Sequence, residues 1–171
     1  MPDKAESIEK KPLFICFALL FTLLMTAALT NPTASFAQTA KVKVYLVALE
    51  DNGKNGRKIG CDDSLIAVNR EVQSTSAPLK AALEELLSMP EEYNEGGRQL
   101  ANFWKGGALK LQSVSIKKGT ATIKISGTLT VAGICDQPRI VEQIEMTAKQ
   151  FSSVKKINVT LNGESLKQAI R

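Results

Sequence analysis

The chain has no histidine. That removes the Ser-His and Cys-His nucleophilic pairs and the imidazole ligands on which many zinc sites depend. Its three cysteines, Cys16, Cys61 and Cys135, form no C-x-x-C, so neither a cysteine-pair zinc site nor a local redox dithiol is present in the sequence. No glycine-rich phosphate loop occurs either, because "NGKNG" at 52–56 lacks both the spacing and the strand-to-helix setting. Aromatic residues make up only 5% of the chain, and Lys and Arg never form a run of five, which leaves little stacking surface for a nucleic acid. No cofactor, no metal and no nucleic-acid partner is therefore expected.

Carboxylates are what remain for catalysis. Cleavage of a glycan needs only an acid and a second carboxylate or a held water. The candidates are Asp62-Asp63, Glu84-Glu85, Glu91-Glu92 and Glu95. Glu84 and Glu85 fall on the polar face of an expected helix, and Glu91, Glu92 and Glu95 lie in an expected polar loop. A carboxylate-dependent wall hydrolase is thus the remote alternative, and a chain that is not an enzyme is the expectation.

Charged residues are also missing from one long stretch, Pro12 to Thr30, "PLFICFALLFTLLMTAALT". Lys4, Lys10 and Lys11 precede it and "NPTASFA" follows, with Ser35 and Ala37 as the small residues a signal peptidase reads. Residues 1–37 are expected to be a secretory signal peptide cleaved after Ala37. Because the run exceeds the usual apolar region of roughly 7–15 residues and approaches bilayer-spanning length, a retained anchor is the alternative. Cys16 follows Ile15 near the start of the run, which is the wrong place for a lipidation site. In either case the rest of the chain is expected to be exported to the periplasm or cell envelope, touching membrane only through the N-terminal segment.

Asp3, Glu6 and Glu9 balance the three early lysines, so residues 38–171 carry the whole net charge of +5. An ordinary solvated surface accounts for this balance. The alternative is attraction to an anionic wall polymer, phospholipid head groups or an acidic partner.

Hydrophobic periodicity organises residues 38–171 as one domain with a short C-terminal tail. "KVKVYLVAL", Lys41 to Leu49, and "LIAVNREV", Leu65 to Val72, alternate with a period of two and are expected to pair as strands across the polar loop "DNGKNGRKIG". Leu79, Ala82, Leu83, Leu86 and Leu87 then recur at helical spacing, with Ser76 as the expected N-cap, Pro78 in the first turn and Pro90 as the stop. "EEYNEGGRQLANFWKGGAL" is expected to be a loop with a short helical turn. "LQSVSIKKGTATIKISG" reads as a hairpin turning at Lys118-Gly119. Asp136 is expected to cap a second helix with Pro138 in its first turn and Ile140, Val141, Ile144, Ala148 and Phe151 as its stripe. "VKKINVTLNG" supplies a last strand. The order β-β-α-β-β-α-β gives an α/β (α+β) two-layer sandwich, a small mixed sheet with both helices on one face.

In an exported chain an even pair of cysteines is usually a disulfide, and Cys61 with Cys135 is the expected bridge. Closing a loop of about 75 residues would stabilise the fold by roughly 4 kcal/mol in the chain-entropy model. Two free thiols or a redox pair are the alternatives. Phe103 and Trp104, in the segment "RQLANFWK" between two glycine pairs, either close the core or form an exposed contact, with the core favoured. Lys117, Lys118, Lys155 and Lys156 are the candidate contacts of the alternative function, binding of a cell-wall glycan or an anionic polymer.

Three strings in order resemble the GerMN domain family. They are "PLKAALEELLSMP" (Pro78 to Pro90), "LQSVSIKKGTATIKIS" (Leu111 to Ser126) and "QIEMTAKQFSSVKKINVTLNG" (Gln143 to Gly163). The resemblance runs from about Val42 to Leu166. Ala148, after Thr147, and Gly106-Gly107 depart from the family pattern. The resemblance implies a non-catalytic module of the cell envelope, similar to the ring-building units of sporulation and secretion machines. Such a module self-associates or docks onto another envelope protein, with a sporulation-like, germination-like or general envelope role. It carries over no catalytic residue. Thr147, Gln150, Asn162 and Gly163 match the pattern and are expected to be structural.

Overall fold

A computed structural model describes residues 38–105 and 108–171 of the chain. The expected signal peptide or anchor, Cys16 and the Gly106-Gly107 pair lie outside the described residues. Among the described residues no helix is long and apolar enough to cross a membrane.

The first two expected strands form and pair. β1 (Thr39–Ala48) lies antiparallel to β3 (Ser64–Gln73) in an unbroken register from Thr39 opposite Gln73 to Ala48 opposite Ser64. The period-two pattern sends Val42, Val44, Leu46 and Ala48 into the main core. The loop between these strands contains a two-residue strand, β2 (Arg57–Lys58), paired to β3, and a short 3-10 turn at Gly60–Asp62.

α1 (Pro78–Ser88) buries Leu79, Ala82, Leu83, Leu86 and Leu87, as the sequence stripe requires. Each buried leucine contributes about 2 kcal/mol of apolar transfer. Its N-cap is Ala77 rather than Ser76. Pro78 opens the helix, and Thr75 Oγ1 accepts the Ala77 N–H at 3.1 Å. The expected helical turn after Pro90 is a correction. This segment is a hairpin, β4 (Glu92–Glu95) against β5 (Arg98–Ala101), turning at Gly96-Gly97, where both residues have positive φ. β5 meets β1 at a single pair, Val47 opposite Ala101. The five-stranded sheet therefore runs β2-β3-β1-β5-β4.

A second sheet holds the expected hairpin, β6 (Leu109–Lys117) with β7 (Thr120–Gly127), bulged near Gln112. A crossover through α2 (Asp136–Lys149) returns the chain as β8 (Lys156–Leu161), parallel to β7. The tail adds β9 (Glu164–Ser165) and a one-turn helix, α3 (Leu166–Ala169), which bury Leu166 and Ile170. The α+β layering is as expected, but the strands form two sheets rather than one. The four-stranded sheet β6-β7-β8-β9 is the mixed one.

One core cluster joins the layers. Val44 and Leu46 of β1, Leu83 and Leu86 of α1, Ile140 and Ile144 of α2, and Ile123 and Val159 of the second sheet belong to it together. A smaller cluster of Val47, Ile59 and Leu65 sits apart, with Tyr45, Phe103 and Met146 packed on it. Met146, which falls off the expected helix stripe, thus has an apolar partner of its own.

Candidate functional site

Two polar residues of α2, Gln143 and Thr147, and its C-cap Gln150 face backbone. Beyond Val47, β1 has no strand on its β5 side, so its N–H and C=O groups there need other partners. Three side chains at i, i+4 and i+7 of α2 and its C-cap supply them. Gln150 Oε1 accepts the Lys43 N–H at 2.7 Å while its Nε2 donates to the Lys43 carbonyl at 2.6 Å. Thr147 Oγ1 accepts the Tyr45 N–H at 3.2 Å, and Gln143 Nε2 donates to the Tyr45 carbonyl at 3.0 Å. The helix thus stands in for a neighbouring strand. In this chain Thr147 and Gln150 are thus both engaged with the backbone of β1.

Gln143 also ties in the segment before the second sheet. Its Oε1 accepts the Phe103 N–H at 2.9 Å. Buried Asn102 donates from Nδ2 to the Leu86 and Met89 carbonyls, closing the end of α1, and its Oδ1 accepts the Trp104 N–H and Gln143 Nε2. Trp104 is fully buried, 0% exposed, and its indole N–H donates to the Ile140 carbonyl at 2.8 Å. A contact role for Trp104 therefore has no exposed surface to use. Phe103 is half-buried beneath the Arg139 guanidinium, 5.1 Å from ring centroid to Cζ.

Cys61 and Cys135 are joined by a disulfide with Cα atoms 5.8 Å apart. Directly beside it, Arg139 Nε donates to the fully buried Asp63 Oδ2 at 2.6 Å and Arg139 Nη1 to Asp136 Oδ1 at 3.2 Å. The Glu50 N–H occupies Asp63 Oδ1, and the Ala132 N–H occupies Asp136 Oδ2. Asp136 is thus not a helix cap. Cys135 holds the cap position, and the Asp136 carboxylate reaches back to residue 132 and across to Arg139. The bridge and the ion cluster tie the β1–β3 loop to the start of α2 at two neighbouring points. Five other candidate carboxylates are also engaged: Glu84 with Lys80, Glu85 with Arg70, Glu91 with Lys105, Asp62 with Lys58, and Glu92 with Gln99, while Glu95 stands at the end of β4 opposite Arg98. Glu84 and Glu85 line an open groove of about 440 Å³ with Glu71 and Lys80, and the other candidates lie elsewhere in the fold.

In the same loop, Asp51 accepts the Asn55 side-chain amide and its backbone N–H. These bonds, with a contribution from Ser64, hold its carboxyl at about 2 against an ordinary 3.8. The folded value is depressed, so the stabilisation is present above the ordinary value and is lost as pH falls towards 2. Asn55→Ala is expected to return the Asp51 titration towards 3.8, followed by NMR of its side-chain carboxyl.

Two further surfaces bear on binding. β6 is an outer strand, and beside it a groove of about 450 Å³ is lined by Pro78 and Leu79 of α1, Val114 and Ile116 of β6, and Phe151. Ile116 is 40% exposed there. At the end of the second sheet the β6–β7 turn and the start of β8 converge, because the Lys155 and Lys156 N–H groups both donate to the Gly119 carbonyl, at 2.7 and 3.0 Å. Lys117, Lys118, Lys155 and Lys156 are all exposed at this one end. Neither the backbone-edge ladder nor the β6 groove was singled out from the sequence. The groove needs knowledge of which strand is outermost, a tertiary fact.

These features define a small disulfide-bridged α+β domain of two sheets, with polar helix side chains completing a strand edge. The model of the family described as "Germane: Sporulation and spore germination" matches residues 43–167, and the chain belongs to this family. Among solved structures, the first GerMN domain of the sporulation protein GerM from Bacillus subtilis is similar, at 24% identity and a TM-score of 0.53. That match covers 75% of this chain and 86% of the GerM domain. The tandem GerMN domains of the same protein match at 20% identity and a TM-score of 0.53, over 79% of this chain and 43% of the tandem structure. At these identities the likeness concerns the fold. None of the curated proteins matches the chain.

Proposed function

We propose that the chain is an exported, non-catalytic module of the cell envelope that docks an extended segment of another envelope protein, or of a second copy, along β6. A role in sporulation or germination is the context its family description supports. The observation that carries the docking reading is the apolar groove beside the unpaired edge of β6, where Ile116 lies exposed. An outer strand offers main-chain hydrogen bonds to an added strand, and an adjacent apolar groove accepts its alternate side chains. The polar side chains at this helix support the non-catalytic reading, because buried Gln143 and Thr147 and half-buried Gln150 are already paired to backbone.

A photoreactive residue placed at position 116 of the full chain in its native cells is expected to form a discrete adduct with an envelope protein or a second copy. The same residue at exposed position 167 serves as the control. Absence of an adduct at 116, or equal labelling at both positions, overturns the docking reading.

A further inference from the structure

Three of the four strands of the second sheet lack acidic residues. β6, β7 and β8 contain no Asp or Glu, and neither do the stretches 106–135 and 146–163; Glu164 on the two-residue strand β9 is the exception in this sheet. The same strands and their connecting ends carry Lys110, Lys117, Lys118, Lys124, Lys155 and Lys156. Among the described residues none of these six lysines takes part in an ion pair. All eight ion pairs among the described residues lie elsewhere in the fold.

The registers place most of these residues on one face. Ala121, Ile123 and Ile125 of β7 point into the core, so Thr120, Thr122, Lys124 and Ser126 point away from it. Opposite them stand Lys117, Ser115, Ser113 and Lys110 of β6, and Lys156, Asn158 and Thr160 of β8. Lys117 and Lys156 flank Thr120 two strand spacings apart, roughly 10 Å. Lys124 lies four residues further along β7, about 13 Å away. Gly119 lets the Lys155 stem lie close over the turn, since a Cβ there would come within 3.2 Å of Lys155 Cγ. Over β6, β7 and β8 the outer face is thus an array of ammonium, hydroxyl and amide groups, and Glu164 of β9, opposite the inward-facing Leu161, is the one carboxylate on the strands of this sheet.

That composition selects an occupant. A neutral glycan needs aromatic stacking surfaces, and a bilayer is held best where an apolar side chain inserts between the lipids. A nucleic acid offers bases that this face has no ring to stack on. Lysines spaced along hydroxyl rows match repeated phosphates separated by short polar units. We infer that the outer face of the second sheet binds a linear polyphosphodiester polymer, such as a poly(glycerol phosphate), along its strands. This face is opposite the apolar side of β6, so the inference stands apart from the docking reading.

The test uses the full chain with poly(glycerol phosphate) as probe, titrated at several salt concentrations. On the scale of single-stranded polyanions, four engaged lysines predict a log–log salt slope of about −3, and so about 60-fold weaker binding between 50 and 200 mM salt. The triple variant Lys117→Gln, Lys124→Gln, Lys156→Gln is expected to bind about 50-fold more weakly at physiological salt, with a slope flattened by about 2. Lys41→Gln, Lys43→Gln, Lys54→Gln removes the same charge from the other sheet and its loop and is expected to change binding less than threefold. Equal weakening by both variants overturns the inference, since net charge alone would then account for binding. Tighter binding to vesicles of equimolar phosphatidylglycerol and phosphatidylcholine, or to a single-stranded oligonucleotide, also overturns it.

Discussion

In non-reducing buffer, the Cys61→Ser, Cys135→Ser variant is expected to melt about 10–20 °C below the parent. The bridge closes a separation of 74 residues, for which the chain-entropy model gives about 4 kcal/mol. For a domain of this size each kcal/mol moves the midpoint by roughly 3–5 °C. In excess reductant the parent loses the same constraint, so the two proteins are expected to melt together. Circular dichroism under both conditions separates the outcomes. An equal gap between parent and variant in reductant would assign the loss to packing of the cysteines and sink the entropic account.

Arg139→Met is expected to cost about 3–5 kcal/mol, the range for removing one partner of a buried ion pair. The physical cause is the carboxylate left behind. Asp63 is fully buried, and without the guanidinium it keeps only the Glu50 N–H. Arg139 also covers Phe103, so some of the loss is packing. Adding Asp63→Asn to Arg139→Met removes the stranded charge while its amide oxygen still accepts the Glu50 N–H, and about half of the stability is expected to return. Urea unfolding of the two variants measures this difference, and no recovery would mean that charge burial is not the cause. Because the cluster and the disulfide tie the same two segments, Arg139→Met combined with Cys61→Ser should lose less than the sum of the two single losses.

Strands and helices with strong periodicity were legible before any coordinates. β1, β3, the β6–β7 hairpin and both long helices follow their apolar spacing closely. The β4–β5 hairpin was not, because "EYNEGGRQLA" buries only Leu100 fully and is otherwise built from residues that strands seldom favour. Its one sequence signal is the Gly96-Gly97 pair, which suits a hairpin turn as well as the border of a helical turn. Ser76 and Asp136 have good capping chemistry, yet Ala77 and Cys135 hold the cap positions. Asp136 is drawn away by Arg139, a partner set by tertiary packing. The division into two sheets was equally illegible, since it depends on β5 meeting β1 at one residue pair and then parting from it.

The lysine-rich face was only half visible. Lys117, Lys118, Lys155 and Lys156 stood out as doublets, whereas Lys110 and Lys124 joined them only once strand registers were known. In the same way Asn162 reads as a turn residue, but its side chain also pairs with both backbone groups of Gly127, at 2.8 and 2.9 Å. Gly127 allows this because its φ is +121° and any Cβ would fall 1.8 Å from the Ala108 carbonyl oxygen.

The helix that completes the β1 edge sets a schedule for folding. Lys43 meets its partner Gln150 across 107 residues of sequence, so a chain made from its N-terminus carries an unfinished strand until nearly the whole domain has emerged. During that interval the exposed N–H and C=O groups are a template for pairing with a neighbouring nascent chain. Production of this protein should therefore be sensitive to synthesis rate and to holding chaperones, more than the stability of the finished fold would indicate.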